Sequence, residues 1–384
     1  MKKGWQTKTL GELCSFENGD RGENYPSKSV QTTSGVPFTN AGHLSESGID
    51  FSDMNYIPRE RFELLGNGKI RKDDILFCLR GSLGKFASVG DLSEGAIASS
   101  LVIVRPSGAI LNDFVLAYLQ SDLCAEMIQE FRNGAAQPNL AAASLKKFSI
   151  PVPPLAEQQR IVGLLDEAFE GLATAKANAE KNLQNARALF ESHLQSVFTQ
   201  RGPGWVQTTL DSCCEQIFAG GDVPKDRLSQ ERTPKYSVPI FSNGEKDDGL
   251  YGFTDVARVT KPAITVSARG TLGFTAIRTE PFLPVVRLIV LVPDEKLIML
   301  SFLYYAVVGM DFGNTGTSIP QLTVPNCKES KLHVPSLSEQ KAIVEKLDAL
   351  SEETQRLASL YERKLAALEA LKKSLLHQAF TGEL

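Results

Sequence analysis

Six cysteines in 384 residues, with no CxxC pair and no histidine at ligand spacing, leave no expected zinc site or redox couple. They read as small buried hydrophobes in a reducing cytoplasm. No run approaches the roughly eighteen uncharged apolar residues of a membrane span. Met1-Lys2-Lys3-Gly4-Trp5-Gln6-Thr7 carries charge with no apolar stretch behind it, so no secretory leader is expected. Surplus positive charge is missing too. The 41 basic and 45 acidic residues give −4. Residues 1–150 hold 16 basic and 17 acidic, 151–202 hold 5 and 6, 203–335 hold 13 and 14, and 336–384 hold 7 and 8. Each piece is −1, so a nucleic-acid partner requires cations sorted onto one face or supplied by another subunit.

Catalytic signatures are also lacking. Gly81-Ser82-Leu83-Gly84-Lys85 is followed by Phe86, which does not satisfy a phosphate loop. Val152-Pro153-Pro154-Leu155 has the prolines of an amino-methyltransferase motif without the preceding Asp or Asn, and no cofactor loop precedes it. His43, His193, His333 and His377 are scattered, and Pro293-Asp294-Glu295-Lys296 matches a nuclease fragment only loosely. No catalytic residue and no metal ligand is expected.

What the chain does contain is a repeat. Gly4-Trp5 returns as Gly204-Trp205, an offset of 200. Arg80-Gly81-Ser82-Leu83-Gly84 returns as Arg269-Gly270-Thr271-Leu272-Gly273 at 189, and Pro153-Pro154-Leu155-Ala156-Glu157-Gln158 as Pro335-Ser336-Leu337-Ser338-Glu339-Gln340 at 182, an offset that holds to Phe198-Thr199 and Phe380-Thr381. The second copy is therefore eighteen residues shorter. Each copy opens with an irregular part holding β-rich runs such as 98–104 and 288–292, punctuated by Gly, Pro, Asn and Asp. Each ends in a Gly-poor helix entered through prolines. In the first, Ile161, Leu165, Ala168, Leu172, Ala175, Ala179, Leu183, Ala186, Phe190, Leu194 and Val197 span 36 residues in ten steps. In the second, Ile343, Leu347, Leu350, Thr354, Leu357, Tyr361, Leu365, Leu368, Leu371, Leu375 and Ala379 do the same. A mean step of about 3.6 marks long amphipathic helices rather than a strict heptad coil. The small stripe of the first suits the large stripe of the second, so the two are expected to pack on each other within the chain, a homodimeric coil being the alternative. The expected class is α+β, with boundaries at 1–153, 154–202, 203–335 and 336–384.

This order of parts, twice over, resembles the DNA-specificity subunit of a type I restriction–modification enzyme across nearly the whole chain. The resemblance rests on the Pro-Pro-Leu-Ala-Glu-Gln-Gln-Arg-Ile segment ending at Ile161, its copy ending at Ile343, Phe380-Thr381-Gly382, the Arg-Gly turns, and the Gln137-Pro138 and Pro320-Gln321 segments. Gly35-Val36-Pro37-Phe38-Thr39-Asn40 with Lys72-Asp73-Asp74-Ile75-Leu76, and Ser242-Asn243-Gly244 with Tyr251-Gly252-Phe253, resemble two different varieties of recognition domain. Phe241 stands where the second variety usually has glycine. The resemblance implies two α/β target-recognition domains in tandem, each followed by a long helix, the helices forming an antiparallel coiled-coil-like spacer with pseudo-two-fold symmetry. It implies a double-stranded DNA site in two unlike halves, two methyltransferase subunits docked on the chain, and restriction subunits joined through them. S-adenosylmethionine, ATP and Mg then belong to those partners. A helical scaffold without nucleic-acid specificity and a stand-alone enzyme are the competing classes.

Base edges are read by Arg or Lys on guanine and by Asn or Gln on adenine, while any cation can hold phosphate. Arg80-Gly81 and Arg269-Gly270 occur in both copies, which fits a phosphate contact or a structural turn better than the reading of two different sequences. Lys85 follows the first turn. Sequence-specific readers belong where the copies differ: Asn40, His43, Lys69, Arg71 and Lys72 in the first, Lys225, Arg227, Arg232, Ser242, Asn243 and Lys246 in the second. Gln137 and Gln321, at the mouths of the helices, face DNA or the rest of the domain. Glu157, Gln158, Ile161, Leu165 and Leu172, with Glu339, Gln340, Ile343, Leu347 and Leu357, are expected to serve helix pairing and partner docking.

Overall fold

A computed structural model describes residues 2, 4–45, 47–134, 138–312 and 321–384. It divides into two compact units, one of Met1–Ala179 with Arg363–Leu384, the other of Glu180–Glu362. The division runs through both long helices, Leu155–Thr199 and Leu337–Thr381, so each unit takes part of each.

Each unit is built on the same four-stranded antiparallel sheet. In the first the order is Cys14–Asn18, Leu101–Pro106, Ile75–Cys78, Phe86–Ser88. In the second it is Cys214–Ala219, Ile289–Pro293, Ala263–Val266, Thr275–Arg278. The central strands are mostly apolar because both their faces are covered, with Arg105 and Thr265 as the polar exceptions. Ile75 and Phe77 join one core cluster, and Leu76 and Cys78 join another on the opposite face. A smaller mixed sheet follows the same plan in both units. Val36–Thr39 pairs antiparallel with Asn55–Ile57 and parallel with Gly95–Ile97. Val238–Phe241 pairs likewise with Leu250–Thr254 and Leu283–Pro284. Eleven of the eighteen residues missing from the second copy are lost before the Arg-Gly turn, and seven after it. Among the described residues the first unit accordingly has an added strand Lys69–Ile70 and a hairpin Leu44–Ser45 with Gly48–Ile49, and its helix Asp122–Phe131 lies in the later stretch.

The long helices are 45 residues each, about 65 Å at 1.5 Å per residue. Their starts are fixed by one device used twice. Buried Gln158 accepts from Leu111 N at 2.9 Å and donates from Nε2 to Ala109 O at 3.4 Å and Pro153 O at 2.9 Å. Buried Gln340 accepts from Met299 N at 2.8 Å and donates to Leu297 O at 3.0 Å and Pro335 O at 2.9 Å. Each amide thus ties a helix start to the entry of the shorter helix, Asn112–Gln120 or Leu300–Val308.

Helix ends are also fixed alike, by an aromatic plug. Phe198 lies against Phe302 and Trp205, with ring centroids 5.5 and 6.2 Å away. Phe380 lies against Phe114 and Tyr118 at 5.1 and 5.8 Å. Within the first unit the helices run antiparallel, Arg160 reaching Leu384 O and Lys176 pairing with Glu369. In the second, Arg187 pairs with Glu362. The apolar stripe faces inward along the first helix throughout. Along the second it breaks once: Leu371 is 48% exposed, and half-buried Lys372 lies over the Phe169 ring instead.

Candidate nucleic-acid interface

The Arg-Gly turns close the hairpins between the last two strands of each four-stranded sheet. Gly84 N donates to Cys78 O, and Gly273 N to Ser267 O, at 3.0 and 2.9 Å. Gly81, Gly84, Gly270 and Gly273 all have φ between 72° and 84°, where a Cβ is disfavoured. The repeated glycines are therefore required by the hairpin itself. Leu140 N to Leu79 O and Leu322 N to Ala268 O then stitch the later segment to the turn in both units. Arg80 is exposed, while Arg269 donates to Gln321 Oε1 at 2.9 Å. Gln137 lies outside the described residues.

The densest basic cluster of the first unit is largely engaged. Lys72 pairs with Asp91 at 2.7 Å, which holds that carboxyl below the usual range. Lys69 donates to Glu63 O and sits 5.1 Å from the Phe62 ring centre. Arg71 is exposed, but its backbone N–H is fixed by Asp74 Oδ2 at 2.8 Å. Beneath them Arg105 joins Asp74, Glu17 and Lys69 O in a half-buried network. Lys85 donates to Ala41 O. His43 is buried, its Nδ1 accepting from Asn40 N and its Nε2 meeting Asp53 O at 3.1 Å, so it organises the loop from inside. Asn40 caps that turn, accepting from Gly42 N at 2.7 Å.

In the second unit Arg227 pairs with Asp255 and Arg232 with Glu280. The loop carrying Lys246 contains Asp247 and Asp248 at φ 50° and 52°. Arg278 anchors it from below, donating to Asp248 O and to Thr265 Oγ1, with its guanidinium 3.6 Å from the centre of the Phe241 ring. Burial pulls this guanidinium down to about 10. Phe241 thus supplies a core ring and a cation platform, and the strand carries a register shift beside it. Ser242 Oγ reaches only Asn243 O, at 3.5 Å. Both functions of the Asn243 amide are occupied. Nδ2 donates to Val286 O at 2.6 Å and Oδ1 accepts from Ala268 N at 2.7 Å. An amide bonded on both sides in this way staples two loops together, with its orientation fixed by those loops rather than by a base.

Each unit carries a surface cleft beside its small sheet, and the two share one corresponding residue, Lys28 in the first and Lys225 in the second, each at the start of a short 3-10 turn. Both border the segment that leaves the parallel strand of the small sheet, where Ala98 N donates to Thr39 O and Val285 N to Phe241 O. In the first unit a cleft of about 750 Å³ is lined by amides and hydroxyls, among them Gln31, Thr32, Asn40 and Asn55, with Lys28 its cation. In the second a cleft of about 670 Å³ is lined by Lys225, Arg269 and Arg287, with Val286 and Asp222. Of the expected readers, Asn40, Lys225 and Arg269 come to these clefts, while Lys69, Arg71, Lys72, Arg227 and Lys246 do not line them. Sequence reasoning missed Val286 and Arg287. Their signal was available: aligned through the strand they leave, they replace Ser99-Ser100 of the first copy.

At the helix starts, Glu157 pairs with Arg160 at 2.8 Å and Lys2 at 3.2 Å, and Glu339 accepts from Trp205 Nε1 at 3.0 Å. Ile161 and Leu165 lie in the first core, with Leu172 half-buried between the helices. Leu347 and Ile343 lie in or against the second core, and Leu357 is half-buried. The thiols carry no reactive signature: burial pushes Cys14, Cys124 and Cys327 up to about 12. No helix of the described residues is long and apolar enough to cross a membrane.

Comparison with known proteins agrees with this two-part plan. The profile of the type I restriction modification DNA specificity domain matches residues 2–183 and again 203–362. A Mycoplasma pneumoniae chain named as a type I specificity subunit is 30% identical over 233 residues, 61% of this chain and 63% of that relative, so the match falls just short of two-thirds of its length. A second from the same organism is 33% identical over 268 residues, 66% of this chain and 77% of the relative. A chain from a structural study of type I R-M complex assembly superposes with a TM-score of 0.85 over 100% of this chain and 99% of its own, at 20% identity.

Proposed function

Because the chain belongs to the type I restriction–modification DNA-specificity family, we propose that it selects a two-part site in double-stranded DNA, one half for each unit, without catalysing a reaction itself. The observation that carries this reading is one sheet-and-turn scaffold built twice, with a surface cleft of different chemistry beside the small sheet of each unit. An amide-lined cleft favours adenine and a guanidinium-lined cleft favours guanine or phosphate, so the two half-sites differ. Two methyltransferase subunits dock on the chain, with restriction subunits joined through them. S-adenosylmethionine, ATP and Mg are bound by those partners.

Near-neutral charge in every segment gives the lone chain few phosphate contacts and weak binding, because affinity for DNA rises with the counterions released. Methyltransferase subunits that help enclose the duplex raise the affinity and steepen its salt dependence. Fluorescence anisotropy at ~0.15 M salt, where exposed charges are largely screened, tests this on the chain with and without its partners. Equal affinity in the two cases contradicts the proposal. Mapping N6-methyladenine across a genome carrying the system then defines both half-sites, and a scaffold without DNA specificity leaves no such motif.

A further inference from the structure

Val286 and Arg287 have φ of 52° and 62°. Two consecutive side-chain-bearing residues in the left-handed region are uncommon, and a β-branched one is strained there. The surroundings hold them in place. Val286 N donates to Gly221 O at 2.8 Å, Arg287 N to Gly220 O at 3.2 Å, and Asn243 clamps Val286 O while its other end holds Ala268 N. The Val286 side chain adds little to the core, being 50% exposed. The fold does not need the strain, since Ser99 and Ser100 occupy the matching place without positive φ. Arg287 is exposed and makes no side-chain hydrogen bond or ion pair among the described residues. Lys225 and Arg269 flank it in the cleft, with Asp222 the one carboxylate.

Resting on the reading of this chain as a DNA-specificity subunit, we infer that Val286-Arg287 is the base-reading tip of the second unit. Arg287 donates its two-pronged fork to O6 and N7 of a guanine in the major groove, and Val286 packs its methyl groups on the 5-methyl of a neighbouring thymine. Lys225 and Arg269 hold the flanking phosphates. Asn243 acts as a positioning residue, setting the tip and the Arg269 turn relative to each other. The Ser99-Ser100 counterpart offers hydroxyls only, so the first unit reads its half-site by other groups.

The test uses the full chain assembled with its methyltransferase subunits, with methylome mapping and anisotropy on duplexes substituted one position at a time. Replacing residues 203–335 by a related domain first assigns the half-site of the second unit. If the wild-type assembly shows no bipartite motif, the functional reading falls and this inference with it. Arg287→Lys keeps the charge but loses the fork, so discrimination at one guanine drops about ten-fold while the other half-site stays intact. A uniform loss over all sequences with a shallower salt slope, or an unchanged motif, overturns the assignment. Val286→Gly relieves the left-handed strain, so its unfolding midpoint is unchanged or raised, which separates recognition from folding. Replacing the neighbouring thymine by deoxyuridine weakens wild-type binding several-fold and leaves the Val286→Gly assembly indifferent. A wild-type assembly indifferent to deoxyuridine throughout that half-site removes Val286 from the proposal.

Discussion

At the scale of single residues, the side chains that matter most are those with every polar atom in use. Asn243→Ala leaves the Ala268 N–H without its partner in a partly buried place, a loss of about 1–2 kcal/mol measurable by denaturant unfolding. Because the staple serves two loops, its removal weakens binding across the whole second half-site rather than relaxing one base. Glu157 gives a pH signature. The hydrogen bond from Arg160, then that from Lys2, hold its carboxyl at about 2, below its ordinary 4.5. A carboxyl depressed in the folded state contributes stability that is complete above its unfolded value and is lost as pH falls toward the folded one. The contribution of Glu157 therefore disappears between about pH 4.5 and 2. Arg160→Ala should bring its titration, followed by carboxyl carbon NMR, back toward 4.5.

At the scale of elements, each long helix is held at two points of different chemistry, an amide clamp at its start and an aromatic plug at its end. The clamp makes three bonds with one buried side chain, so Gln158→Ala or Gln340→Ala strands backbone groups on two elements. The expected cost is about 2–3 kcal/mol each, since a buried group left unsatisfied loses more than the bond was worth. Gln158→Glu should do no better, because a carboxylate can donate to neither Ala109 O nor Pro153 O. Phe380→Ala empties a place beside Phe114 and Tyr118 and should cost about 3–5 kcal/mol, read as a lowered unfolding midpoint. The exposed ion pairs Lys176–Glu369 and Arg187–Glu362 contribute far less, about 0.2–1 kcal/mol each, and select the helix alignment rather than sustain it.

At the scale of the molecule, both units take part of each long helix, so they are not separate in construction, and separate recognition is a prediction. A replacement for residues 203–335 must still seat Phe198, Leu194 and Val344, which come from the helices. A related domain that offers that seat should change one half-site and leave the other unchanged, as methylome sequencing would record. If both halves change, the units are coupled. The helices also predict a ruler. Seven residues inserted into both, near Ala179 and Tyr361, keep the stripe approximately in phase and add ~10 Å to each, about three base pairs at ~3.4 Å. Rotation of the duplex over that length is roughly a hundred degrees at ~10.5 base pairs per turn. The expected result is either lost modification or a spacer longer by a few base pairs with both half-sites unaltered; full activity on the original spacer refutes the ruler.

Periodicity, repeat and helix entry were legible in the chain because they depend on neighbours three or four residues away, or on a segment compared with its own copy. The stripe from Ile161 to Val197 needed no structure to be seen. The Arg-Gly repeat is visible too, but the sequence alone leaves open whether it marks a phosphate contact or a structural turn, and it is the hairpins that place its glycines at positive φ. The absence of basic surplus was equally plain from counting. What the sequence could not settle is which cations remain available, because their partners lie far along the chain: Asp255 is 28 residues from Arg227, and Glu280 is 48 from Arg232. Nor could it show that the Asn243 amide is consumed between Val286 and Ala268, at separations of 43 and 25 residues. The left-handed pair Val286-Arg287 was hidden for the same reason. Nothing local favours that backbone for valine, and only hydrogen bonds to the carbonyls of Gly220 and Gly221 and from the Asn243 amide, brought together by the sheets, impose it.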